Sequence, residues 1–161
     1  MVFVASAEPF ISTTDEREEG FKLEMLNYPD IEVLETQFSE TNTSKAAAQL
    51  EAVLARNPDL AGVFGSDLFT AMGTASGVKA SGKTGEIKIV AFDAPQSIVG
   101  DIKSGLIDLA IAQHPKEIGF FGVLTAYAAV TGQSVPVLIG TGYTVMDASN
   151  IDDPEIQKFL Y

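Results

Sequence analysis

Short runs of β-branched and apolar residues alternate along the chain with longer stretches whose apolar positions recur every three or four residues. The short runs are VFVAS (2–6), IEVLETQ (31–37), LAGVFG (60–65), EIKIVAF (86–92) and IDLAIAQ (107–113), and they predict strands. Between them the helical period predicts helices over TDEREEGFKLEMLN (14–27), SKAAAQLEAVLARN (44–57, stopped by Pro58), LFTAMGTASGVKAS (68–81, stopped by Gly82) and PQSIVGDIKS (95–104, stopped by Gly105). Strand and helix in alternation mark βαβ units. The expected fold class is therefore α/β: a doubly wound, mainly parallel sheet of five to six strands flanked by helices, a flavodoxin-like layer.

Beyond residue 113 the pattern changes. PKEIGFFGVLTAYAAVTGQ (115–133) opens with Pro115 in a favourable first-turn position, but Ile118, Phe120, Phe121, Val123, Leu124, Tyr127 and Val130 spread apolar character around much of the helix. A helix apolar on more than one face needs more than one neighbour. VPVLIGTGYTVMDASN (135–150) reads as turn-rich, and IDDPEIQKFLY (151–161) as a short terminal helix opened near Asp153 and Pro154. No internal repeat or long linker appears. With 161 residues, 46% of them hydrophobic, the chain suits one domain spanning 1–161.

Composition narrows the partners. Asp and Glu number 22 against 10 Lys and Arg, a net charge of −12 that repels nucleic acid and anionic lipid surfaces alike. There is no cysteine, which excludes disulfides and thiolate chemistry and leaves the compartment open. The opening MVFVASA lacks a basic flank, and no apolar run is long enough for a membrane span, so neither a signal peptide nor membrane insertion is expected of this chain.

Ligands of such sheets sit outside the carboxyl ends of the strands, which here carry Ser66, Asp67, Asp93 and Gln113. Arg17 adds a puzzle. Thr13 and Glu16 have capping-box spacing, which would place Arg17 in a first helical turn where a cation has the wrong sign. Its neighbours at three and four residues are Thr13, Thr14, Gly20 and Phe21, so no acid is placed to pair with it on the helix. Taken singly, Asp93 reads as a cap for the helix near Pro95, Asp67 as a cap for the helix from Leu68, and Gln113 as a solvated strand end. Taken together, with Arg17 entering from the first strand-to-helix connection, they supply the fixed acceptors and planar donors that sugar hydroxyls require.

Enzymatic readings find less support. His114 is the only histidine and reads as a surface residue beside Pro115, so no metal site is expected. No nucleophile elbow, phosphate loop or dinucleotide fingerprint is present; GKT at 82–84 follows a helix instead of opening one. Catalytic residues and cofactors are therefore expected to be none, and glycoside hydrolysis by the strand-end acids ranks low because acids beside an arginine favour the ionised acceptor form.

The series STTDEREEGF, NPDLAGVFGSDLFTAMG, IKIVAFDAP, IAQHPKEIGFFGV and NIDDPEIQKFLY resembles the second half of periplasmic sugar-binding proteins of the ribose-binding type, the solute receptors of ABC importers. The resemblance implies a two-lobed protein that closes on a monosaccharide or related polyol and presents the closed form to a membrane permease, in the periplasm or another extracytoplasmic space. It implies ligand-binding roles for Arg17, Asp93 and Gln113, with Phe92 as an aromatic wall or, equally, a core residue. Asp67 stands where the family usually has asparagine, and no aromatic stands near Thr41 and Asn42, where the family can place one. The family's first lobe precedes the strand matching VFVAS, so the chain looks like a second lobe alone, with 115–139 shaped to pack on the absent first lobe. Left alone, the 116–131 helix would drive homo-oligomer formation. Three other readings share the fold: the effector domain of a repressor-type transcription regulator, a small flavodoxin-like enzyme or phosphate-handling protein, and an excised or engineered scaffold with no ligand of its own.

Overall fold

The computed structural model describes all 161 residues. Six strands form one sheet: β1 (Val2–Ser6), β2 (Gln37–Phe38), β3 (Gly62–Gly65), β4 (Lys88–Phe92), β5 (Leu109–Gln113) and β6 (Tyr143–Asp147). Their spatial order is β2-β1-β3-β4-β5-β6, parallel throughout except that β6 runs antiparallel to β5. The helices are α1 (Ser12–Met25), α2 (Thr43–Arg56), α3 (Leu68–Ala80), α4 (Gln96–Lys103), α5 (Pro115–Val130) and α6 (Pro154–Gln157). The doubly wound α/β layer is as the alternation predicts.

Alternation along the strands divides the side chains between the two faces of the sheet. One face buries Phe3, Ala5, Val63, Ile89, Ala91, Ala110, Ala112 and Met146 against Leu50 and Val53 of α2, Ala71, Ala75 and Val78 of α3, and Ile98, Val99 and Ile102 of α4. At about 25 cal/mol per Å² of apolar surface removed from water, this is the principal stabilising layer. Gly73 and Gly77 let α3 approach α2 closely; a Cβ built on Gly73 would lie 2.4 Å from the Thr43 carbonyl oxygen. On the other face the register aligns Val4, Phe64 and Val90, then Phe92 with Ile111. Here α1 lays Phe21 on Phe64, ring centroids 5.7 Å apart. Beyond it Val90, Phe92 and Ile111 stay half-exposed around an apolar cavity of about 270 Å³.

Four local expectations are corrected. The helix containing Arg17 begins at Ser12, with Ile11 at its cap and no side-chain cap bond; the Thr14 hydroxyl instead donates back to the Ile11 carbonyl, so Thr13 and Glu16 form no capping box. The run 31–37 is not a full strand. It touches β1 at a Val2–Val33 bridge and again at Gln37–Phe38, consistent with an edge that has only one neighbour. The stretch read as turns holds β6, whose Thr144 and Met146 alternate correctly but are masked in sequence by the glycines before them. His114 is half-buried: its ring stacks on Phe159 with centroids 4.1 Å apart and its nitrogens bond the Thr141 carbonyl and the Thr144 hydroxyl.

Helix α5 matches its sequence in being unpartnered. None of its residues is buried, and Phe120, Val123, Tyr127 and Val130 are each more than 60% exposed. No helix is long and apolar enough to cross a membrane.

Candidate functional site

The carboxyl ends of β3, β4 and β5, with the start of α1, bring Arg17, Ser66, Asp67, Phe92, Asp93 and Gln113 to one edge of the sheet. Arg17, one turn into α1, lies flat over the Phe92 ring with its Cζ 3.6 Å from the centroid, and its Nη1 donates to the Ser66 carbonyl at 2.8 Å. This answers the sequence puzzle. The guanidinium is held by an aromatic face and a strand-end carbonyl, and no carboxylate forms an ion pair with it. Burial pushes its pKa down, while the charges of Asp93 and Asp67 pull it back up. Only one of its five N–H donors is used within the protein.

Asp93 is the centre of the arrangement. It is not a helix cap: α4 is capped by Pro95 without any side-chain bond. Its backbone is left-handed, φ 73°, a conformation that costs a non-glycine residue about 1 kcal/mol or more and that aspartate tolerates better than most. Its Oδ1 accepts from Gln113 Nε2 at 2.7 Å and from the Tyr161 hydroxyl at 2.6 Å. Gln113 is thus a positioned donor and not a merely solvated strand end, and its own Oε1 remains open as an acceptor.

Asp67 takes the plainer role. Its Oδ1 accepts from the backbone N–H groups of Phe69 and Thr70, and the Thr70 hydroxyl bonds Oδ2 at 2.8 Å, completing the cap of α3. Phe92 gives one ring face to Arg17, so it acts as the platform of the guanidinium. Below the edge the Ser66 hydroxyl donates to Ser6 Oγ at 2.9 Å, tying β3 to β1 beneath the site.

Tyr161 was not foreseen. Sequence carries one indirect signal for it: Ile156, Phe159 and Leu160 give the tail an apolar side, and these residues pack on the core and bring the tail across the ends of β4 and β5. Larger clefts exist elsewhere, such as one of about 540 Å³ along the outer side of α1, but it lies away from these strand ends and is lined by Phe10, Leu23 and acidic side chains. No cluster of side chains with metal-binding geometry is present.

The family model for the periplasmic binding protein domain matches residues 1–134. The chain is 34% identical over 128 residues to a ribose import binding protein of Haemophilus influenzae, covering 80% of this chain and 43% of that protein. It is 28% identical over 127 residues to a D-ribose/D-allose-binding protein of Pseudomonas aeruginosa, covering 77% and 40%. Among solved structures it resembles an ABC transporter solute-binding protein of Agrobacterium vitis bound to α-D-tagatopyranose, with 59% identity, a TM-score of 0.97 and coverage of 99% of this chain and 54% of that one. A second Agrobacterium vitis solute-binding protein, bound to D-fucose, matches at 29% identity and a TM-score of 0.93, with coverage of 99% and 55%. The chain thus spans about two-fifths of the curated relatives it matches and about half of these solved ones. These relatives are binding components of transport systems, not enzymes.

Proposed function

The chain belongs to the periplasmic binding protein family, and from that premise we propose that it is the second lobe of a sugar receptor serving an ABC importer, holding a monosaccharide or related polyol at the carboxyl ends of its strands without catalysis. The observation that carries this reading is the Asp93–Gln113 pair beside Arg17, a rigid set of acceptors and donors at the edge where such sheets bind ligands. Asp93 Oδ2 accepts a sugar hydroxyl, Gln113 Oε1 a second, and the free N–H groups of Arg17 donate to a third oxygen. Asp67, already engaged as a cap, serves the site mainly by setting the start of α3. The first lobe corresponds to the part of the longer relatives that this chain does not match, and the arm 115–139 packs on it, which accounts for an apolar helix that buries nothing. Function then follows from hinge closure, in which a ligand favours the closed form by touching both lobes, in a periplasmic or similar extracytoplasmic setting.

The test is a thermal melt of the chain against pentoses, hexoses, amino sugars and polyols at millimolar concentration, with D-tagatose as the first probe. Ligand at ten times its Kd stabilises by about 1.4 kcal/mol, which raises Tm by about 3–6 °C in a domain of this size. A selective rise supports the reading. A cooperative melt that no sugar moves would mean that this lobe holds no site by itself.

A further inference from the structure

We propose that Tyr161 is a positioning residue of this site: together with Gln113 it holds Asp93 Oδ1, so that Oδ2 alone is presented to the ligand. The inference rests on the sugar-binding reading and adds to it a residue that fixes the hydrogen-bonding polarity of the site.

The geometry is specific. A carboxylate has two oxygens and about four lone-pair directions, and an aspartate with both oxygens free would accept from many orientations of a sugar ring. Here two donors, 2.7 and 2.6 Å away, converge on one oxygen, and nothing in the protein donates to the other. The two donors come from separate segments that both follow Asp93 in sequence: Gln113, 20 residues on, ends β5, and Tyr161 lies 68 residues on, in the tail. The tail is anchored before it arrives. Ile156, Phe159 and Leu160 pack against the core, Phe159 stacks on the His114 ring, and the Tyr161 backbone N–H reaches the Ala94 carbonyl at 3.4 Å. Asp93 itself sits in a left-handed backbone conformation, uncommon for a non-glycine residue. Burial and the neighbouring carboxylate push the Tyr161 hydroxyl up to about 12, which keeps it protonated and donating at any physiological pH.

With both donors on Oδ1, and the Tyr161 oxygen itself lying against the Gln113 N–H groups, Oδ2 is the acceptor that remains free. A sugar hydroxyl placed against Oδ2 must donate to it. This selects ligands with a free hydroxyl at that position and disfavours those in which it is methylated or missing.

The experiment compares the wild-type chain with Tyr161→Phe, which keeps the ring and removes the donor. Binding of D-tagatose is measured by calorimetry, thermal stability by calorimetric melting, and the Gln113 side-chain amide by 15N NMR without ligand. The expected result is a Kd raised about 5- to 20-fold, matching loss of one charge-assisted hydrogen bond, with Tm lower by no more than about 4 °C and a shifted Gln113 amide resonance. Unchanged affinity in a variant of a sugar-binding wild type would overturn the proposal, and so would a Gln113 resonance that does not move. Should the wild type bind no D-tagatose while the resonance shifts, the positioning of Asp93 is supported and the sugar reading alone is weakened.

Discussion

Replacing Arg17 with methionine separates the two roles its surroundings allow, structural strut and ligand donor. The change removes one charged hydrogen bond to the Ser66 carbonyl and a guanidinium stacked 3.6 Å above Phe92. At a half-exposed position each contributes roughly 1 kcal/mol. Against this, methionine relieves the burial that already disfavours the charged guanidinium, and its thioether fits the apolar cavity bounded by Phe21, Phe64, Val90, Phe92 and Ile111. That gain offsets about half of the loss. The net destabilisation is about 1 kcal/mol, a fall in Tm of about 2–4 °C by calorimetry. Sugar affinity, by contrast, is expected to fall tenfold or more, because the lost N–H groups have no substitute on this edge. A drop in stability above about 3 kcal/mol in urea unfolding would show that Arg17 is primarily structural. Unchanged affinity in a stable variant would remove it from the site.

Three further outcomes follow from the same contacts. The folded-state pKa of Tyr161 lies near 12, above the usual 10.0, so its contribution to stability is complete below pH 10 and is lost between pH 10 and 12; because the side chain is half-exposed this amounts to no more than about 1 kcal/mol, and wild type and Tyr161→Phe should converge in unfolding free energy across that range. Gly142, at φ 77° and where an added Cβ would lie 3.0 Å from His114 Nδ1, is poorly suited to a side chain: Gly142→Ala should destabilise by about 1–2 kcal/mol in urea unfolding, and an unaffected variant would mean that His114 is not fixed there. Light scattering at high concentration should show self-association through α5, abolished by Val123→Glu with Tyr127→Glu; a monomeric wild type would leave that helix without a partner in its own kind.

Where the sequence was informative, the reason is periodicity. Local signals, side-chain caps at α2 and α3 and nearby glycine or proline stops, let α2, α3 and α4 begin and end within a residue or two of their predicted limits. Gln113, Asp93 and Asp67 were legible because parallel topology sends the end of every strand to the same edge. What Asp67 and Asp93 do there was not. Both precede helices and both resemble caps, and the distinction lies in backbone dihedrals: Asp67 is extended, φ −147°, and turns its carboxylate onto the N–H groups of α3, while Asp93 is left-handed and turns away from α4. Arg17 lacked a helical acid, which signalled a distant partner, but the identity of that partner as Ser66 and Phe92 depends on how α1 crosses the sheet. Tyr161 and His114 are engaged by segments far away in sequence, and no local rule reports such pairings.

The arrangement also bounds what this strand-end surface can achieve alone. A set of three or four hydrogen bonds from one side, each net about 1 kcal/mol, leaves little after the entropy of immobilising a sugar, so binding no tighter than about 1 mM, at most about 4 kcal/mol, is the expectation for this surface alone. Rigidity is what makes even that attainable. Asp93 is held by Gln113 and Tyr161, Arg17 by Phe92 and Ser66, and none must reorganise to meet a ligand. To reach micromolar affinity a second surface must supply about 4 kcal/mol more. A receptor whose halves each bind weakly closes only when ligand is present, since without ligand nothing offsets the cost of bringing the halves together. On the proposed reading, the modest strength of such a half-site is a condition of a receptor's switching.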